Sequence, residues 1–308
     1  MDKEEHIIFH ADDFGANREV SAHILDCYKE GALSSLSVLP NGRDLDACMQ
    51  ILEPYRERIK VSIHFNLAEG HCVAAPAEVP LLVDGRGMFH ISFFKVLVLS
   101  FTPKRKELKR QIKTEMKAQL VRMLPYITTL RLDSHQHYHM IPVVLESILE
   151  SVEELPRTEK GKQWLAANGM REPAIAFIRI PAEPLSPFLK HPELWRTFRP
   201  INLVKNLVLN VLNLMDVRIL KPYRRKSAVF FGILLSGGMD LQRVRRLLPE
   251  FQKIADRKKL PLEILCHPGG VEQPESLMDI KNTDCVRFYT SEGRKIEKEM
   301  LVKIKELC

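Results

Sequence analysis

The run Thr129-Leu130-Arg131-Leu132-Asp133-Ser134-His135-Gln136-His137-Tyr138-His139 joins two patterns. Its first four residues alternate apolar and polar, the period of a strand. Directly after them, Asp133, His135, His137 and His139 recur at every second position. An extended backbone throws alternate side chains to one face. The spacing therefore predicts four side chains converging on a point beyond a strand end. Neutral imidazole is the commonest protein metal ligand, and a carboxylate beside it can accept the second ring N–H and fix the tautomer. The chain has 11 histidines in 308 residues, so this cluster asks for a chemical explanation more than a packing one.

The same arrangement, a strand-like run ending in polar groups, recurs along the chain. Residues 7–11 lead into Asp12-Asp13-Phe14-Gly15. Adjacent carboxylates repel, which disfavours burying both unpaired. A cation would relieve that conflict, with one Asp binding it and the other taking a proton. Helix capping accounts for one of the two but not for both. In Val61-Ser62-Ile63-His64-Phe65-Asn66-Leu67 the alternation puts Ser62, His64 and Asn66 on one face. Residues 262–266 lead into His267-Pro268-Gly269-Gly270, where Pro and Gly force a sharp turn that presents the imidazole. Arg179 sits in Phe177-Ile178-Arg179-Ile180-Pro181. A guanidinium among apolar neighbours needs a carboxylate or carbonyl partner; the Asp pair and an ordinary structural ion pair are both open to it.

Candidate strands span residues 7–11, 35–39, 60–65, 129–132, 174–180, 228–234 and 262–266. Amphipathic helical patterns lie between them, at 17–29, 44–58, 104–124, 141–153, 240–258 and 291–307. Pro54 should end or kink the second early. The clearest is 104–124, where Leu108, Ile112, Met116, Leu120 and Met123 form an apolar stripe. Alternating β and α implies a parallel sheet wrapped by helices. About seven such units without a midpoint predict an α/β fold of the barrel type, closed or nearly closed, rather than a doubly wound sheet. Functional groups cluster at the C-terminal strand ends of such barrels. No repeat or low-complexity linker divides the chain, so one domain over 1–308 is expected, with loop or lid insertions near 72–103 and 181–226.

Two apolar runs lie in those insertions. Residues 91–101 are too few to span a bilayer. Residues 203–220 are long enough but carry Lys205, Asn206, Asn210, Asn213 and Asp216, which a spanning helix rarely tolerates. The second run reads as an amphipathic helix on the body or a lid, with peripheral membrane contact as the lesser reading. With 45% hydrophobic and 28% charged residues the composition is globular. A net charge of +7 suits anionic partners, but Lys and Arg spread over helix faces and no aromatic-interleaved basic motif points to nucleic acid. Six cysteines lie far apart without a C-x-x-C, and Met1-Asp2-Lys3-Glu4-Glu5 is too polar for a signal peptide. Both features suggest reduced thiols in a cytoplasmic protein.

Taken in order, Ala11-Asp12-Asp13-Phe14-Gly15, Leu39-Pro40-Asn41-Gly42, His64 with Leu67, Asp133-Ser134-His135-Gln136-His137-Tyr138-His139-Met140, Arg179-Ile180-Pro181 and Cys266-His267-Pro268 resemble the YdjC-like carbohydrate deacetylase family. That family includes chitooligosaccharide deacetylases. The resemblance runs from about His6 to Tyr289. It implies a distorted (β/α) barrel, complete or incomplete, related to polysaccharide deacetylases. It puts metal ligands on Asp13, His64 and His135, a general base on Asp12, and the H-P histidine on His267. Asp133, His137, His139 and Arg179 then become supporting or sugar-contacting groups. One carboxylate and two imidazoles leave open positions on one divalent ion, the arrangement for hydrolysis. Such an ion activates water and polarises a carbonyl. Asp12 would take the water proton and His267 would protonate the departing amine, releasing acetate from an N-acetylated amino sugar. The resemblance points to magnesium or zinc; mixed N/O ligation also suits cobalt or manganese. It is compatible with a homodimer. His10 stands where the family usually has Asn, Ser62 where a Gly is common, and Pro40 where a smaller or aliphatic residue is typical. Two other readings compete. One is a two-metal phosphoesterase or amidohydrolase using His10, His137 and His139; the other is a glycan-binding barrel without chemistry.

Overall fold

The computed structural model describes residues 6–277, 279 and 282–307, so the N-terminal pentapeptide and Cys308 lie outside the described residues. Seven strands form one sheet: β1 (Ile7–Phe14), β2 (Ser35–Val38), β3 (Lys60–Phe65), β4 (Leu130–Ser134), β5 (Ile175–Ile178), β6 (Val229–Phe231) and β7 (Leu262–Cys266). Their order is β5-β4-β3-β2-β1-β7-β6, and every pair is parallel. The edge strands β5 and β6 do not pair with each other, so the curled sheet stays open on one side. A barrel of the expected kind is present in its incomplete form.

The sheet is buried on both faces, as parallel sheets are. Residues of β2 and β7 are buried throughout. The predicted stripe Leu108, Ile112, Met116, Leu120 and Met123 is buried along the helix Arg105–Met123. That helix packs on Pro142–Glu153, and Lys109, Lys113 and Lys117 pair across the seam with Glu146, Glu150 and Glu154. Pro54 ends its helix as expected: Leu45–Leu52 gives way to a tight turn at Glu53–Tyr55.

Two local expectations change. β4 stops at Ser134, and His135–Met140 forms a tight turn in which Gln136 (φ 51) and His137 (φ 60) are left-handed. The backbone leaves the extended form there, so Asp133, His135, His137 and His139 do not share one face. The helix Pro200–Met215 is also turned contrary to simple amphipathicity. Asn202 and Asn206 are buried, while Leu203, Leu207, Val211 and Leu214 are exposed. Asn202 donates to the Leu234 and Ser236 carbonyls, and Asn206 to Glu183. Glu183 in turn accepts from the N–H groups of Gly232, Ile233 and Leu234, just past β6. A carboxylate thus satisfies backbone donors on the open side, where the sheet provides no carbonyls.

Candidate active site

β1 lies inside the sheet, between β2 and β7, and ends in the acidic pair. Neighbouring strand residues ordinarily face opposite sides. Here the register against β2 shifts between Ala11 and Phe14, and Asp13 takes φ 72. This bulge re-aims one side chain, so both carboxylates reach the same buried cluster. The close passage of Asn41-Gly42 supports the turn: a Cβ on Gly42 would fall 2.1 Å from the Gly15 carbonyl oxygen. Neither Asp is a helix cap. Asn17 fills that role for Arg18–Glu30, its Oδ1 accepting from the Val20 N–H. Both acids are thereby left for other work.

Asp12 is gripped by Arg179 in a fork, Nη1 to Oδ2 at 2.8 Å and Nη2 to Oδ1 at 2.9 Å. Arg179 Nε donates to Glu263 at 2.9 Å. Burial would raise the Asp12 pKa, but Arg179 and then His64 outweigh it and hold the carboxyl well below its usual range. The sequence left two partners open for Arg179; the guanidinium meets the Asp pair through Asp12 and a second carboxylate at once. Asp13 accepts from Arg294 Nη1 at 2.9 Å and lies 3.1 Å from His135 Nδ1. It too is lowered against the effect of burial, by His135 and Arg294.

His64, on β3, puts Nδ1 2.6 Å from Asp133 Oδ1, the registered neighbour on β4. With that nitrogen committed as donor, Nε2 is the acceptor. It is buried without a hydrogen-bond partner among the described residues, 3.8 Å from Asp13 Oδ1 and 3.7 Å from Asp12 Oδ2. Asp133 also accepts from Ser37 Oγ, which meets His10 Nε2. Burial acts upward on Asp133, yet Arg179 and His64 bring it down to about 2. His135 lies between Asp13 and Glu69, with Nε2 3.2 Å from Glu69 Oε1. Burial opposes its charge, but Glu69 and Asp13 push it up to about 10. The carboxylates at this point demand positive charge.

Asp13, His64 and His135 each offer a ligand atom, and these atoms lie within 4.8 Å of one another. A carboxylate, two imidazoles and an unpartnered ring nitrogen backed by Asp133 fit a divalent cation; ligation would require His135 to be neutral. His10, Asp12 and Asp133 form a second close group. There Arg179 already binds Asp12 and stands 3.3 Å from Asp133. That built-in positive charge disfavours a second ion, and with it the two-metal reading.

The remaining histidines separate. His139 is buried with Nδ1 2.6 Å from Ser134 Oγ and Nε2 3.0 Å from the Arg179 carbonyl. Both ring nitrogens are engaged within the protein, so it ties the end of β4 to the chain just past β5. Burial first, and Arg179 among its neighbours, leave it at about 4. His137 is half-buried, its ring edge-on to Phe230 and its Nδ1 without a partner among the described residues. His267, past β7, is 15% exposed, with Nδ1 3.7 Å from Glu297 Oε2. Glu297 accepts from the N–H groups of His267 and Gly237.

Glu69, Arg294, Glu263 and Glu297 were absent from the sequence reading. Only Glu263 carried a visible signal, a lone charge inside the apolar run Leu262-Glu263-Ile264-Leu265. Glu69 is held by a loop network in which Asn41 and Asn66 donate to its carbonyl. Arg294 and Glu297 belong to the helix Glu292–Ile304, far along the chain.

A family model described as YdjC-like protein matches residues 6–303. The chain belongs to the YdjC-like family. Relatives named carbohydrate deacetylase include one from Thermoanaerobacter pseudethanolicus, 29% identical over 147 residues, which are 47% of this chain and 56% of that protein. Another, from Homo sapiens, is 27% identical over 203 residues, 61% and 60% of the two chains. This YdjC-like chain spans about half the length of the first curated relatives it matches. A crystal structure from Enterococcus faecalis V583, a candidate cellobiose-phosphate cleavage protein, superposes with a TM-score of 0.62 at 15% identity. It covers 97% of this chain and 92% of that one. That likeness concerns the fold alone.

Proposed function

We propose that this protein is a metal-dependent carbohydrate deacetylase that removes the acetyl group from an N-acetylated amino sugar or oligosaccharide and releases acetate. The observation that carries the reading is the unpartnered Nε2 of His64, backed by Asp133 and facing Asp13 beside Asp12. Asp13, His64 and His135 would hold one divalent ion, magnesium or zinc by resemblance. Such an ion activates water and polarises the amide carbonyl.

Asp12 takes the proton of the attacking water. The Arg179 fork fixes the carboxylate's direction at the expense of basicity, since a depressed pKa lowers the driving force for proton abstraction. His267 gives a proton to the departing amine, a step that a poor leaving group requires; Glu297 lies beside its Nδ1. His137, half-buried beside Phe230, contacts the sugar. Residues 72–103 and 181–226 wall or cover the cleft of a single domain. Buried, unpaired Cys27, Cys48 and Cys266 suit a reducing, cytoplasmic setting.

The test is an acetate-release screen over N-acetylated mono- and oligosaccharides with Zn, Mg, Co or Mn, run alongside two variants. Asp12→Asn should keep its metal and lose roughly 10²–10⁴-fold in turnover. His64→Ala should lose metal by elemental analysis. Wild-type turnover in the first, or full metal content in the second, would refute the assigned roles.

A further inference from the structure

The helix Pro200–Met215 has its polar side locked inward by Asn202 and Asn206, so its outward stripe is set by the fold. Leu203, Leu207, Val211 and Leu214 follow one another at three- and four-residue spacing and are 49%, 64%, 48% and 70% exposed. The helix Phe93–Leu99 repeats the situation. Its Val96 is buried, while Phe94 and Val98, with Phe101 just beyond, are 59%, 62% and 67% exposed. Both helices flank one turn, His135–Met140. Phe93 packs edge-on against Tyr138, whose hydroxyl donates to the Ile91 carbonyl, and Pro200–Met215 touches the same turn. Folded monomers rarely expose apolar surface of this extent without a use.

The rim of this surface is basic. Exposed Lys95, Lys104 and Lys106 border the Phe94–Phe101 side, and exposed Arg218, Lys221 and Lys226 follow the longer helix. None of the six makes an ion pair among the described residues. No acidic residue occurs between positions 85 and 106 or between 217 and 239. An apolar helix face with a cationic border suits an interfacial membrane site, because the apolar side chains enter the acyl boundary while lysine and arginine meet anionic headgroups. A second copy related by a two-fold axis would set the same cationic rim against itself.

We propose that the exposed faces of Phe93–Leu99 and Pro200–Met215 dock this protein peripherally on an anionic lipid surface, beside the turn that carries His135. The docking goes beyond the proposed chemistry and does not depend on it.

The experiment is co-sedimentation of the full chain with vesicles of phosphatidylcholine alone and of phosphatidylcholine mixed with phosphatidylglycerol. Binding to the anionic vesicles should exceed that to neutral ones by about tenfold or more. Leu207→Glu/Leu214→Glu and Lys104→Glu/Lys106→Glu should each weaken it by at least about tenfold, with circular dichroism and thermal unfolding unchanged. These residues are exposed, so the variants should fold. Wild-type protein that ignores both vesicle types, or double variants that bind as wild type does, would overturn the proposal. So would a stable dimer that Leu207→Glu/Leu214→Glu dissociates and that does not bind vesicles, since the face would then belong to a second copy.

Discussion

At the residue scale, Arg179 does the most with one side chain. It is fully buried, forks onto Asp12, donates to Glu263 and approaches Asp133. Such a charged network is weak evidence for net stability, because desolvating every member offsets the attraction. Removing one member is different, since the others stay buried and uncompensated. Arg179→Met should therefore destabilise the fold by roughly 3–5 kcal/mol in urea denaturation. A loss below about 1 kcal/mol would show that Asp12 and Glu263 find other partners. Arg179 was readable as a site residue because a charge in an apolar strand is conspicuous. Its double partnership was not, because Asp12 and Glu263 lie 167 and 84 positions away.

At the element scale, the helix Pro200–Met215 shows how a local pattern underdetermines orientation. Its apolar and asparagine faces are both legible, but only the demand of Glu183 and the nearby carbonyls decides which points inward. The helix ends at Asp216, whose carboxylate is buried with neither oxygen hydrogen-bonded among the described residues. Burial and then Glu146 push its pKa up to about 7; Glu146 itself is paired with Arg105 and Lys109. The folded form thus holds a proton that the unfolded chain releases near pH 4. Its contribution is fully present below that value and lost as pH rises toward 7. Asp216→Asn should leave stability nearly unchanged at acid pH. Near pH 8 it should raise stability by on the order of 2 kcal/mol, read as a urea midpoint shift at the two pH values. An equal effect at both would rule out titration of Asp216 as the cause.

At the scale of the whole molecule, sheet order explains the site. β1 lies between β2 and β7, so β3 and β4 bring His64 and Asp133 from one side while β7 and Glu292–Ile304 bring His267, Glu297 and Arg294 from the other. Several carboxylates share this buried volume, and a bound cation should stabilise the entire fold. After chelation, a metal at a hundred times its Kd should add about 2.7 kcal/mol. For a chain of this size that amounts to a rise on the order of 5 °C in Tm, followed by differential scanning calorimetry. His64→Ala should remove the increment; a Tm indifferent to every divalent ion tried would exclude a bound metal.

Periodicity and turn chemistry act over a few residues. The sequence alone therefore determined the seven strands, the buried stripe of Arg105–Met123 and the acidic and imidazole groups waiting at strand ends. Only the tertiary structure decided that Asp12 and Asp13 share one cluster, through the β1 bulge, and that His139 turns away as a tie between strands. Glu69, Glu297 and Arg294 likewise join from a loop and the last long helix through tertiary contact alone. Those outcomes depend on which distant backbone and charge each side chain meets, and no pattern of neighbours along the chain records that.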